Sequence, residues 1–117
     1  MLLAAVLTTS LAQNGTSDLA VLKANLGGDC SADFTVTDAA DKPVYAASIR
    51  VRVRYGAFGV KRADLEVGTG SDGRARIEGL PTKARPFTYT IEKDDRRTMV
   101  DQDVAHTCHA MFAVALK

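Results

Sequence analysis

Arg50, Arg52 and Arg54 alternate with valines in one short run, and Lys61 and Arg62 follow soon after. If the run is a strand, the three guanidiniums share one face about 7 Å apart. Forked donors at that spacing could grip a polyanion such as an acidic polysaccharide or lipid head groups. The competing arrangement sets them opposite acids on neighbouring strands. Asp64, Glu66, Glu78, Asp101 and Asp103 all lie in alternating segments and could serve. Such pairs add little energy but oppose aggregation at sheet edges. A formal net charge of only +1 favours this balanced arrangement. It also argues against nucleic acid as a partner.

His106 and His109 flank Cys108. A metal would need a third ligand, and Asp103 is the nearest. In an extended segment, however, these two histidines point to opposite faces. Cys108 also has a better use, so neither metal nor cofactor is expected. A Ser-His-Asp spacing, a phosphate loop and a matched carboxylate pair are all missing from the pattern, and no catalytic residues are assigned.

That use of Cys108 comes from a repeat. Cys30-Ser-Ala32-Asp-Phe34-Thr-Val36 reappears as Cys108-His-Ala110-Met-Phe112-Ala-Val114. Each copy is a period-two run with its apolar residues on one face, as in a half-buried strand. Two strands with the same inward residues in the same order are expected side by side, parallel and in register. Their leading cysteines then lie within bonding reach. Cysteines so far apart in sequence do not resemble a zinc site. A disulfide closing so long a loop is worth roughly 4–5 kcal/mol in the chain-entropy model, and it persists only in an oxidising compartment.

The elements that would carry these residues are mostly strands. The spacing predicts seven, at about 31–37, 49–55, around Leu65 and Val67, around Ala75 and Ile77, 87–91, 98–104 and 107–116. Turn chemistry separates them, most clearly at Gly70-Ser71-Asp72-Gly73. Seven short strands at this spacing argue for an all-β, Ig-like two-sheet sandwich over residues 30–117. Residues 13–29 read as a connector. Thr16-Ser17-Asp18 could cap a short helix carrying Leu19, Leu22 and Leu26, or Leu19, Val21 and Lys23 could alternate as a strand. Residues 1–12 (MLLAAVLTTSLA) carry an apolar stretch far too short to span a bilayer, and they read either as a signal peptide or as a retained apolar segment. At 117 residues, with 46% hydrophobic and 25% charged, the chain suits one domain with a modest core.

Asp41-Lys42-Pro43-Val44-Tyr45-Ala46-Ala47-Ser48-Ile49-Arg50-Val51 resembles the opening of carboxypeptidase regulatory-like domains, members of the transthyretin-like (prealbumin-like) sandwiches. Thr69-Gly70-Ser71-Asp72-Gly73 resembles their T-x-x-D-G turn and Ile77-Glu78-Gly79-Leu80-Pro81 their F-x-x-L-P segment. Phe87-Thr88-Tyr89-Thr90-Ile91 is similar to their penultimate core strand. Asp41 replaces a usual Gly, and Ala46-Ala47 a usual Gly-Ala. The resemblance implies architecture and a non-enzymatic module, since these motifs are turn and core residues. Enzymes on related sandwiches need other residues. The hydroxyisourate hydrolases carry a Tyr-Arg-Gly-Ser tail that is not found here. Intradiol dioxygenases hold iron with two Tyr and two His, whereas Tyr45, Tyr55 and Tyr89 here suit core or sheet positions.

The expectation is therefore a secreted, cell-surface or periplasmic module with a structural or binding role, stapled by Cys30–Cys108. Its partner would be a protein or another copy of itself, and it has no membrane span. One alternative is a self-assembling filament subunit that donates residues 1–12 as a strand to its neighbour. A second is a polyanion- or carbohydrate-binding module using Arg50, Arg52, Arg54, Lys61 and Arg62.

Overall fold

The computed structural model describes residues 19–117. The expectations for residues 1–12 and for the cap at Thr16-Ser17-Asp18 lie outside the described residues. Eight strands form two four-stranded sheets packed face to face: β1 (Ala20–Lys23), β2 (Cys30–Asp38), β3 (Ser48–Tyr55), β4 (Lys61–Gly68), β5 (Arg74–Leu80), β6 (Phe87–Lys93), β7 (Arg96–Gln102) and β8 (His109–Leu116). The first sheet has the order β1-β5-β2-β8 and the second β4-β3-β6-β7. This is the expected all-β sandwich with one strand more than the sequence pattern predicts.

The repeat pairs as its spelling predicts. β2 and β8 run parallel with Ala32 opposite Ala110, Phe34 opposite Phe112 and Val36 opposite Val114. Cys30 and Cys108 are disulfide-bonded across 78 positions, with their Cα atoms 4.6 Å apart. The inward residues of both sheets alternate along each strand, and burial follows that alternation. Phe34, Val36, Ile49, Val53, Ile77, Tyr89, Ile91 and Leu116 are fully enclosed. Phe34 meets Tyr89 edge-on at 4.8 Å between ring centroids and stacks on Phe112 at 5.2 Å, so the repeated phenylalanines join the two sheets. Such aromatic contacts add to the burial of apolar area that drives the sheets together.

Tyr89 brings a hydroxyl into this core, and Gln102 satisfies it. The hydroxyl donates to Gln102 Oε1 at 2.6 Å. The amide nitrogen of Gln102 donates in turn to the carbonyls of Thr107 at 2.9 Å and Ser31 at 3.2 Å. One buried side chain thereby ties the end of β7 to the starts of β2 and β8, beside the disulfide. No buried side-chain nitrogen or oxygen among the described residues lacks a partner, as a native-like core requires.

Of the two readings offered for the second half of residues 13–29, helix or strand, the strand is the one found. Residues 20–23 form β1, parallel to β5, with Ala20 opposite Ala75 and Lys23 opposite Glu78. The contact continues beyond the strand through Ala24 N to Glu78 O and Leu26 N to Gly79 O, both 2.8 Å. Ala20, Leu22, Ala24 and Leu26 pack against the core at period two while Val21 and Lys23 face outward. The physical reason is β5: its far edge would otherwise present open amides and carbonyls.

The turns place their special residues where backbone geometry asks for them. Gly73 has φ +77°, and a Cβ there would stand 2.5 Å from the Val36 carbonyl. Thr69 Oγ1 donates to Val44 O at 2.6 Å and accepts from Ala47 N at 2.9 Å, locking the entry to β3 onto the exit from β4.

Removing the staple tests the frame. Cys108→Ser, or reduction of the parent chain, should lower the unfolding free energy by about 2–5 kcal/mol, read from denaturant midpoints with and without reductant. Equal midpoints would mean that the bond contributes nothing to the fold.

Candidate anion-binding site

β3 is flanked by β4 and β6, so each outward arginine has two neighbouring strands from which to draw a partner. Arg50 pairs with Glu92 on β6 rather than with Glu66, its register partner on β4. Glu66 accepts instead from Ser48 Oγ at 2.8 Å. Arg52 Nε donates to Asp64 Oδ1 at 2.7 Å. Glu92 also takes Arg97 at 2.6 Å, so one carboxylate serves two guanidiniums. Of the other acids considered, Asp101 accepts from Thr88 at 2.6 Å, Asp103 engages His106 and Glu78 lies 3.6 Å from Arg76. The first two arginines of the row are thus neutralised where they stand.

Arg54 differs. Its register partner on β4 is Arg62, and Tyr55 faces Lys61. Arg85 reaches the same place from the β5–β6 connection, its amide donating to the Arg54 carbonyl at 3.1 Å. Its guanidinium stem lies against Gly59, where a Cβ would meet Nε at 2.9 Å. The stretches 54–63 and 81–87 that build this end contain Arg54, Lys61, Arg62, Lys83 and Arg85 and not one Asp or Glu. Among the described residues none of the five forms an ion pair. Asp64 lies within Coulombic reach of Arg62 but is hydrogen-bonded to Arg52, so the group keeps a net positive charge, which attracts an anion most strongly at low salt.

The β3–β4 hairpin closes through a single 3₁₀ turn, Ala57–Gly59. Phe58 sits there at φ 59° and is 92% exposed. A left-handed conformation costs an ordinary L-residue roughly 1–2 kcal/mol, and a bulky side chain there is uncommon. Val60 beside it is 76% exposed. Arg54, Phe58, Gly59, Val60 and Arg62 together line an open hollow of about 610 Å³.

The structure therefore divides the expected site residues. Arg62 does join Arg54, whereas Lys61, opposite Tyr55, takes the other face of the hairpin, and Arg50 and Arg52 belong to a balanced face. Arg85 and Phe58 are not legible as site residues, since they lie in connections without a repeating pattern. The signal that could have found them is the acid-free composition of both segments.

The histidines are engaged separately. His106 Nδ1 lies 2.9 Å from Asp103 Oδ2, and His109 Nδ1 lies 2.9 Å from Ser31 Oγ. Parallel pairing of β2 and β8 creates that Ser31–His109 contact, which sequence spacing could not reveal. Both residues lie on the outer face of the first sheet, and no carboxylate among the described residues bonds His109. Asp29, Cys30 and Cys108 are the one grouping of three metal-ligating side chains among the described residues, and its two sulfurs are bonded to each other.

No family model matches the chain, and no curated protein matches its sequence. Among solved structures it is similar to the catechol 1,2-dioxygenase of an Acinetobacter species inhibited by bound mercury, with a TM-score of 0.59 and 12% identity over 85% of this chain. The corresponding enzyme of Pseudomonas arvilla gives a TM-score of 0.56 at 13% identity over 84% of this chain. The chain spans 57% and 56% of those two enzymes. At such identity the likeness is one of fold: these are β-sandwiches of related shape.

The residues here do not fit the two-tyrosine, two-histidine iron set of intradiol dioxygenases. Tyr89 is enclosed in the core with its hydroxyl given to Gln102, and burial pushes its ionisation well above the usual phenol range. Tyr45 is exposed on the β2–β3 connection, and Tyr55 ends β3 in the second sheet. His109 faces solvent from the first sheet, and His106 lies in the β7–β8 turn.

The neutralised face has a pH signature. Its hydrogen bond to Arg52 holds the Asp64 carboxyl below its ordinary value of 3.8. Arg97, and then Arg50, hold Glu92 below 4.5. Lowered folded values mean stabilisation that is present above the unfolded values and lost as pH falls through the folded ones. The thermal midpoint should therefore stay flat from neutral pH to about pH 5 and decline below about pH 4. The Asp64→Asn/Glu92→Gln double variant should show a shallower acid limb in the same melting series.

Proposed function

We propose that this chain is a non-catalytic β-sandwich module of an oxidising compartment, outside the cell or in a periplasm, that binds an anionic partner through the Arg54–Arg62–Arg85 end of its second sheet. The carrying observation is the contrast along β3. Arg50 and Arg52 are held by Glu92 and Asp64, whereas Arg54 stands beside Arg62 and Arg85 with no acid in the contributing segments. Like charges left together on a surface cost stability, and a bound anion relieves that cost.

The disulfide supports such a compartment, since a reducing cytosol disfavours structural disulfides. No helix among the described residues is long and apolar enough to cross a membrane. The non-catalytic role is supported by tyrosines and histidines each committed to separate local partners. The resemblance of the motifs around Pro43–Val44, Thr69–Gly73 and Leu80–Pro81 to carboxypeptidase regulatory-like domains agrees with a binding role.

Retention on immobilised heparin tests the site. The parent chain should elute at raised salt. Arg54→Ala, Arg62→Ala and Arg85→Ala should each weaken binding by about fivefold, the value of one cation near an anionic surface. Arg50→Ala should change it little, because that charge is already spent on Glu92. Equal losses for Arg50→Ala and Arg62→Ala would return the site to the strand face.

A further inference from the structure

The cations explain affinity for an anion but leave the hairpin tip unexplained. From Gly56 to Val60 the chain reads Gly-Ala-Phe-Gly-Val, five residues without a polar side chain, at the end of a hairpin whose two strands deliver Arg54, Lys61 and Arg62. Phe58 is almost wholly in water and holds a left-handed backbone that Gly would adopt more readily. It makes no contribution to the core, which is complete without it. A soluble polyanion would need only the charges. An apolar tip ringed by cations matches one kind of partner better: a surface that is anionic outside and apolar just beneath.

Resting on the anion-binding reading, we propose that this end of the sandwich docks on an anionic lipid bilayer. Phe58 and Val60 enter the interface, and Arg54, Arg62 and Arg85 lie among the head groups. The parts suit their depths. Phe58 leads from the turn, Val60 stands beside it, and the Arg85 stem lies against Gly59 so that its charge sits just behind the tip. Lys61, its stem folded along Gly56, adds a further cation on the other face of the hairpin. The second sheet's hairpin thus presents both chemistries without rearrangement of the fold.

The chain contains no tryptophan, so Phe58→Trp places a single reporter at the tip in the full chain. With vesicles of equal parts phosphatidylglycerol and phosphatidylcholine at low salt, its emission should shift to the blue and be quenched by brominated acyl chains. Phosphatidylcholine alone should do neither. Because the reporter senses only its own surroundings, adhesion through the apolar segment 2–7 would not mimic the signal. Phe58→Ser should weaken vesicle co-sedimentation about tenfold while leaving heparin retention intact. Unshifted emission with heparin retention preserved would overturn the lipid proposal and leave a soluble polyanion as the partner. Vesicle binding unaffected by Phe58→Ser would also overturn it. Loss of both vesicle and heparin binding in the parent chain would overturn the anion-binding reading itself.

Discussion

The disulfide between Cys30 and Cys108 joins the first residue of β2 to the approach of β8, and most of the sandwich is arranged around that seam. The two strands carry the same inward residues, so their parallel pairing sets Phe34 beside Phe112 and Val36 beside Val114 in one layer. On the other side of β2 lies β5, and beyond it β1. The second sheet seats Tyr89 on the paired phenylalanines. Gln102 then binds the Tyr89 hydroxyl and the carbonyls next to the disulfide. A covalent bond and a fully satisfied buried amide thus reinforce one another at the same end of the molecule. Satisfied networks of this kind specify one arrangement of the core rather than several.

That end is also where the cations gather. Phe87 opens β6 opposite Gln102, and Arg85 precedes it by two positions with its amide bonded to Arg54. The β3–β4 hairpin therefore projects from the stapled end of the sandwich. A binding tip gains from such a base, since rigid support reduces the ordering cost at the moment of contact. The rest of the β3 face is electrically quiet, its arginines paired with Glu92 and Asp64. Charge is segregated along a single strand.

Much of this frame was legible in the sequence. The twin heptapeptides encoded register, direction and cross-link together, because a one-residue slip in pairing would have turned Phe34 or Phe112 to solvent. β1 was not legible. Leu19, Leu22 and Leu26 fit a helical period as well as Leu19 and Val21 fit a strand, and the deciding term is the open edge of β5, a tertiary demand. The arginine row was read correctly as a shared face, but its partners depend on which strands flank β3. Glu92 lies on β6, whose place beside β3 no local spacing reveals. Arg85 lies in an irregular connection with no period to read, and only the fold brings it beside Arg54.

The central claim is that the anion site lies at the hairpin end and not along the strand face. Backbone amide shifts followed by NMR during titration with a heparin hexasaccharide test it most directly. The account predicts changes concentrated at residues 54–62 and 82–86, with the amides around Arg50, Arg52 and Asp64 nearly still. Changes centred on Arg50, Arg52 and Asp64, or no saturable change anywhere, would contradict it.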